Sequence, residues 1–253
     1  YDRVRYGLQE RYYEYSPYNV VRINKGRELP DDIPDRAEGP NVYTRARCYY
    51  ELWRAEEVLA QEEKRAIYVY HQILNGGKIR RGLIAAFELS PFGEGIVLPH
   101  EQTHAGPKVD RLRLLSTLQV NLGQIFMLYA DPGNGVNGAL DAAIAGRPPD
   151  VDLVEMHEQG VQQRLWAITD RETIDHVCQQ MITKRNLIIA DGHHRYKTAL
   201  TYREQMRALH PDESLDWADR VVAQIQERAG LLVEREPGVY AFPHRTFQEY
   251  LAG

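Results

Sequence analysis

Helical and extended hydrophobic patterns alternate along almost the whole chain. Residues 3–14 read as a short polar helix ended by Pro17, and the β-branched run Asn19-Val20-Val21-Arg22-Ile23 reads as a strand. Residues 25–40, rich in Pro, Asp and Glu, read as a loop. From about Val42 to Glu62, Cys48, Leu52, Ala55 and Leu59 recur at helical spacing and predict a long amphipathic helix. Two strands, Ala66–Leu74 and Ile79–Leu89, follow around Asn75-Gly76-Gly77, residues suited to a tight hairpin turn. Residues 107–119 read as a helix and Gln124–Tyr129 as a buried strand.

Residues 131–150 are rich in Gly, Pro, Asn and Ala, with a helical island at Ala139–Ala145, and read as an exposed connection rather than a mobile flap. Two strands, Asp152–His157 and Gln162–Ile168, turn at Gln159-Gly160. A helix to about Met181 then starts at Thr169-Asp170-Arg171-Glu172, with Asp or Thr as its cap and an acid in its first turn. The apolar strand Leu187–Ala190 runs straight into Asp191-Gly192-His193-His194-Arg195, and a helix continues to about Leu209. Strands and helices are mixed and many strand pairs are hairpins, so the class is α+β rather than a doubly wound sheet.

Composition narrows the classes of function. The 253 residues are 43% hydrophobic and 26% charged, enough for a substantial core in an ordinary globular chain. With 31 basic against 36 acidic residues the formal charge is −5, so the chain as a whole carries no electrostatic footprint for duplex DNA, and nucleic acid is not an expected partner. No apolar run approaches the roughly 20 residues of a membrane helix, so no membrane partner is expected either. Cys48 and Cys178 have no CxxC companions and make no disulfide framework, which points to a reducing, cytoplasmic compartment. Sixteen tyrosines outnumber five Phe and three Trp, a skew that favours a partly wet packing surface over a base-stacking platform. The opening Tyr1-Asp2, with neither Met nor signal peptide, reads as the start of a fragment or a mature piece.

Chemistry concentrates where the apolar strand ends. The first amides of a helix have no intrahelical acceptor and attract anions, and Gly192 lets a ligand come close to the backbone. Arg195 adds a fixed cation able to fork onto phosphate oxygens. His193 and His194 can donate to phosphate or act as acid and base near neutral pH. Asp191 can hold a divalent ion beside the phosphates or orient a histidine. Against this stands a plain Asp-Gly turn with Asp191 as helix cap and two surface histidines.

His100-Glu101-Gln102-Thr103-His104 matches HExxH, the zinc-peptidase spacing that places two His on one helical face. Pro99 before it and Gly106-Pro107 after it leave barely two turns, no apolar face and no evident third ligand. A zinc hydrolase is therefore the third reading.

The segment ADGHHRYKTAL, from Ala190 to Leu200, resembles the signature of the family catalogued as domain of unknown function 1015. Further resemblance lies in Ser16-Pro17-Tyr18-Asn19-Val20-Val21-Arg22, Arg80-Arg81-Gly82-Leu83, Pro99-His100-Glu101-Gln102-Thr103, Gly106-Pro107-Lys108-Val109-Asp110-Arg111 and Arg164-Leu165-Trp166-Ala167-Ile168. The set covers roughly residues 1–222. That family is related to the free-serine kinase branch of the ParB/sulfiredoxin superfamily. The resemblance implies a ParB/sulfiredoxin-like mixed sheet with flanking helices, lacking the opening strand, in which the glycine-to-arginine turn grips nucleotide phosphates. Asp191, Gly192, His193, His194 and Arg195 match that turn. Glu101 is a candidate catalytic carboxylate by role, and Thr103 would line the site beside it. Lys108 and Arg111 would neutralise phosphate charge at the start of the next helix, a place equally often a solvated face.

After about Val222 the character changes, and residues 223–253 resemble the segment after the nucleotide-binding module of NACHT-type signalling ATPases: helix, short β-wing, helix, without a Walker motif. Read alone, the stretch is a hairpin, Leu231–Glu234 and Val239–Phe242 around Pro237-Gly238, then a terminal helix, expected to pack poorly on the rest. The resulting expectation is a kinase that moves a phosphoryl group from ATP or ADP, with Mg²⁺ near Asp191, to a small hydroxylated metabolite such as free serine. Its rival is a non-catalytic switch that senses CTP or ATP.

Overall fold

Eight strands hydrogen-bond into one mixed sheet, and the apolar strand that ends at Asp191 is an inner strand of it. The coordinates are a computed structural model, which describes residues 6–33, 36, 38–100, 105–154, 161–184, 186–214, 218–227, 233–236 and 239–241. Helices α1 (Tyr6–Tyr15), α2 (Val21–Asn24) and α3 (Val42–Ala55) precede the hairpin of β1 (Ile67–Ile73) and β2 (Ile79–Glu88). A 3₁₀ turn (Phe92–Glu94), β3 (Val97–Leu98), α4 (Ala105–Leu118), β4 (Ile125–Tyr129) and α5 (Gly135–Ile144) come next. Then follow β5 (Val151–Val154), β6 (Gln162–Ile168), α6 (Arg171–Ile182), β7 (Leu187–Asp191), α7 (His193–Leu209) and β8 (Arg220–Glu227). The strand order is β3-β7-β4-β8-β2-β1-β6-β5, parallel at β3/β7 and β4/β8 and antiparallel elsewhere, so the expected α+β class is what the chain adopts.

Local signals account for most of these elements. Gly76 and Gly77 take φ of +85° and +78°, which turns β1 back on β2 with Ile73 opposite Ile79. Asp170 caps α6 by accepting from Thr173 N–H at 2.8 Å. Leu187 to Ala190 are all buried, as a strand covered on both faces requires. Leu187 and Ile189 join Ile125, Met127 and Tyr129 of β4 and Tyr196 and Ala199 of α7 in the main core. Farther along α7, Tyr202 and Met206 pack with Ala218 and with Leu112 and Leu115 of α4. Ile23, Ala46, Trp53, Leu114 and Leu118 join α2, α3 and α4 in another cluster.

α7 is also tied to the end of β2. The buried Tyr196 hydroxyl donates to Ser90 O at 2.8 Å and accepts from Ser90 N–H at 3.0 Å, while Arg203 Nη1 donates to Leu89 O at 2.6 Å. The N-terminal tyrosines serve packing: Tyr13 lies 4.2 Å from the Arg22 guanidinium and 4.0 Å from that of Arg27.

Several expectations need correcting. The run Asn19–Ile23 is not a strand. Asn19 Oδ1 accepts from Val21 N–H at 3.0 Å and its carbonyl accepts from Arg22 N–H at 3.1 Å, and this side-chain turn starts the short helix α2. The long helix stops at Ala55 rather than Glu62, because Glu57 takes φ +57° and Leu59 N–H folds back to Trp53 O at 2.9 Å. The helical island is the full helix α5. β5 begins at Val151, and residues 155–157 of the expected strand lie outside the described residues.

The largest departure is β8, which sequence reasoning missed. It spans the boundary placed at residue 222 and pairs with β4 on one side and β2 on the other. Past it, β9 (Val233–Glu236) and β10 (Val239–Ala241) form the expected antiparallel pair, shifted by two residues in the first strand, as a separate two-stranded sheet. The terminal helix and the helix expected before the β-wing involve residues outside the described set. No helix among the described residues is long and apolar enough to cross a membrane.

Candidate functional site

The turn from β7 into α7 is built around one left-handed residue. Gly192 has φ +95°, which lets the chain leave the strand at Asp191 and enter the helix at His193 without an intervening loop. Gly192 O accepts from Tyr196 N–H at 2.9 Å, closing the first turn. No side chain caps the helix start. The amides of that first turn have no acceptor within the helix, and the positive end of the helix dipole adds to their pull on an anion.

Arg195 folds back over this turn. Its Nη2 donates to Asp191 Oδ2 at 2.6 Å, and a Cβ added to Gly192 would lie 2.9 Å from the same nitrogen. The missing side chain of Gly192 is therefore the space that the guanidinium occupies. Arg195 Nε is buried without a partner, so Asp191 leaves part of its donor fork unused. Arg195 is not aimed at bulk solvent: its side chain is 23% exposed and lines a small open cleft between α4 and α7.

Arg111 lines the same cleft from α4, with Leu114, Val120, Asn121 and Thr198. Arg111 is held by Asn24, donating through Nη1 to its Oδ1 at 2.7 Å and through Nη2 to its carbonyl at 2.9 Å, and it pairs with Asp110 at 2.8 Å. Asp110 also accepts from the Tyr43 hydroxyl at 2.9 Å, and burial followed by that carboxylate pushes the Tyr43 hydroxyl up to about 12. These contacts fasten α2, α3 and α4 behind the cleft. Thr198 stands one turn after Arg195, 2% exposed, and its Oγ1 is buried with no hydrogen-bond partner. A cleft with two guanidinium groups in its walls is a place for an acceptor-rich ligand.

The remaining predicted residues fall in different places. Lys108 is half-buried on α4 and does not line the cleft. His194 is half-buried, with its Nδ1 shielded and without a partner. His193 is 1% exposed and turned inward, where its ring meets that of His100 edge-on at a centroid distance of 4.5 Å. Burial, then the nearby His100, Lys197, His194 and Arg195, pushes His193 down to about 3, so it is neutral at physiological pH and carries no charge for a phosphate. Glu101, Thr103 and His104 lie outside the described residues.

Among the described residues, no group of three or more His, Cys, Asp or Glu is arranged to hold a metal. A larger cavity lies elsewhere, between β2 and α6, with a mainly apolar lining that includes Leu83, Phe87, Val177 and Met181 and none of the turn residues. Sequence reasoning missed Thr198 and Asn121. The signal for Thr198 was available, since it follows Arg195 by three positions and so shares its helix face.

A family model described as "Protein of unknown function (DUF1015)" matches residues 1–234. That span includes the turn, the cleft and all of β8. No curated protein and no solved structure matches the chain.

Proposed function

We propose that this chain, which belongs to the DUF1015 family of proteins of unknown function, is a nucleotide-dependent phosphotransferase acting on a small hydroxylated metabolite. The observation that carries the reading is the cleft lined by both Arg195 and Arg111, beside an uncapped helix start. The likeness of the Asp191–Arg195 turn to that of the free-serine kinase branch, within a ParB/sulfiredoxin-like architecture, supports the same reading. Phosphoryl transfer asks the protein mainly for placement and charge stabilisation, which two guanidinium groups and helix-start amides supply.

In this reading Arg195 exchanges its bond to Asp191 for one to a phosphate of ATP or ADP, and Arg111 offsets the remaining charge from the far wall. Asp191 is then free to face a phosphate-bound Mg²⁺, which would neutralise charge on the donor. The acceptor hydroxyl oxygen bonds to phosphorus as the bridging P–O bond breaks. The electron pair stays with the leaving nucleotide, and the hydroxyl proton passes to a carboxylate, for which Glu101 is the candidate. Of the two histidines, His194 is the one left to donate to phosphate in this reading, since His193 is buried and neutral.

A second reading shares the pocket. The Asp191–Arg195 bond is a closed latch that a phosphate would open, which suits a nucleotide-sensing switch binding ATP or CTP without chemistry. Thermal-shift titration with ADP, ATP and CTP, with and without Mg²⁺, tests both. Stabilisation by at least one nucleotide is expected, and Arg195→Ala should remove it with the fold retained by circular dichroism. If nucleotide affinity survives Arg195→Ala, the assignment is wrong. Mass spectrometry of candidate hydroxylated metabolites after incubation then separates transferase from switch, since only the former yields a phosphorylated product.

A further inference from the structure

We infer that the cleft at Arg195 is one end of a longer slot whose other end, a chamber bordered by Tyr202 and Ala218, takes the base of a nucleotide with its phosphates at Arg195 and Arg111. The inference rests on the nucleotide reading of the site and adds to it the place of the uncharged half of the ligand.

The two spaces share a wall. Leu115, Val120 and Asn121 line both the arginine cleft and the chamber, which continues past Ala199 and Tyr202 to Ala218. Helical periodicity sets the length of the slot. Ala199 and Tyr202 follow Arg195 by one and two turns on the same face of α7, which places Tyr202 about 10 Å farther along the axis. On α4, Leu115 follows Arg111 by one turn and packs against the cluster of Tyr202 and Ala218. The helices thus set their charged positions side by side and, farther on, their apolar ones. That spacing is of the order that separates the phosphates of a nucleotide from its base.

The chemistry of the lining changes in the same sense. Beyond the two guanidinium groups the walls are apolar, from Leu115, Val120, Ala199, Tyr202 and Ala218. Ala199 and Ala218 offer only methyl groups, so two short side chains leave the room. Burial pushes the Tyr202 hydroxyl up from its ordinary value, so it adds no negative charge. No carboxylate is among the described residues that line the slot, and Arg220 brings a third guanidinium, a group that stacks on flat rings. Gln119, exposed, and Asn121, half-buried, supply side-chain amides that suit the polar edge of a ring. A flat ring with an apolar face, polar edges and an anionic tail matches the whole slot. A bare phosphate or a small hydroxy acid would leave the chamber empty.

Calorimetric titration of the full chain with ADP and with inorganic pyrophosphate, each with Mg²⁺, tests the chamber. ADP should bind at least about tenfold more tightly than pyrophosphate. Ala218→Leu, which puts a larger side chain into the chamber, should bring ADP to within about threefold of pyrophosphate and leave pyrophosphate unchanged. Arg195→Ala should weaken both. Equal affinities for the two probes in the wild type, ADP binding untouched by Ala218→Leu, or an equal loss of both probes in that variant would each overturn the inference. In the first two cases the phosphate site at Arg195 still stands. A wild type that binds neither probe would overturn the nucleotide reading itself, and the inference with it. Should Ala218→Leu fail to fold, photolabelling of the wild type with an azido-adenine analogue of ADP decides. Label on residues 115–121 or 199–220 supports the chamber, and label confined elsewhere overturns it.

Discussion

Thr198 keeps its hydroxyl buried and unpartnered although a valine of nearly the same shape would fill the position without a polar atom to satisfy. Leaving such a group unmade costs about 1–3 kcal/mol. Thr198→Val should therefore raise stability by about 1 kcal/mol, read as a melting temperature about 2–4 °C higher. The same change should weaken nucleotide-induced stabilisation if the hydroxyl serves a ligand. A variant that melts lower would mean that the hydroxyl is already satisfied. A stability gain with a binding loss is the usual signature of a residue retained for chemistry rather than for folding.

The strand–glycine–helix unit is short of alternatives at its bend. At Gly192 an alanine would have to hold φ +95°, which costs an L-residue about 1–2 kcal/mol, and its methyl would displace the Arg195 guanidinium. Gly192→Ala should lower the free energy of unfolding in urea by about 1–3 kcal/mol and abolish the nucleotide response. A variant as stable as the wild type, with Arg195 still on Asp191, would show that the bend tolerates a side chain. The neighbouring element illustrates a different constraint. α2 forms from a β-branched run because Asn19 starts a turn with its own side chain, so a local hydrogen bond outweighs strand propensity.

At the scale of the molecule, β8 joins the half of the sheet that carries the site to the half built from hairpins, lying between β4 and β2. A chain ending at residue 222 keeps three of the eight residues of β8 and leaves both neighbours with unpaired edges. It should show no cooperative unfolding transition by circular dichroism. A chain ending at residue 227 keeps the strand and should melt within a few degrees of the full protein, about 1 kcal/mol or less. Equal behaviour of the two truncations would mean that the pairing of β8 contributes nothing to folding.

The sequence by itself determined the α+β class, the β1–β2 hairpin at Asn75–Gly77, the Asp170 cap, the buried strand before Asp191 and the glycine bend after it. Those features were legible because they are short-range: turn chemistry, a capping oxygen or a run of apolar side chains acts within a few residues. Only the tertiary structure decided that Arg111 meets Arg195 across one cleft, that His193 turns inward to His100, and that Arg220–Glu227 is an inner strand of the sheet. Each of these joins residues tens of positions or more apart in sequence. Which far segment completes a ladder or shields a ring depends on the packing of the whole sheet, and no local pattern carries that information.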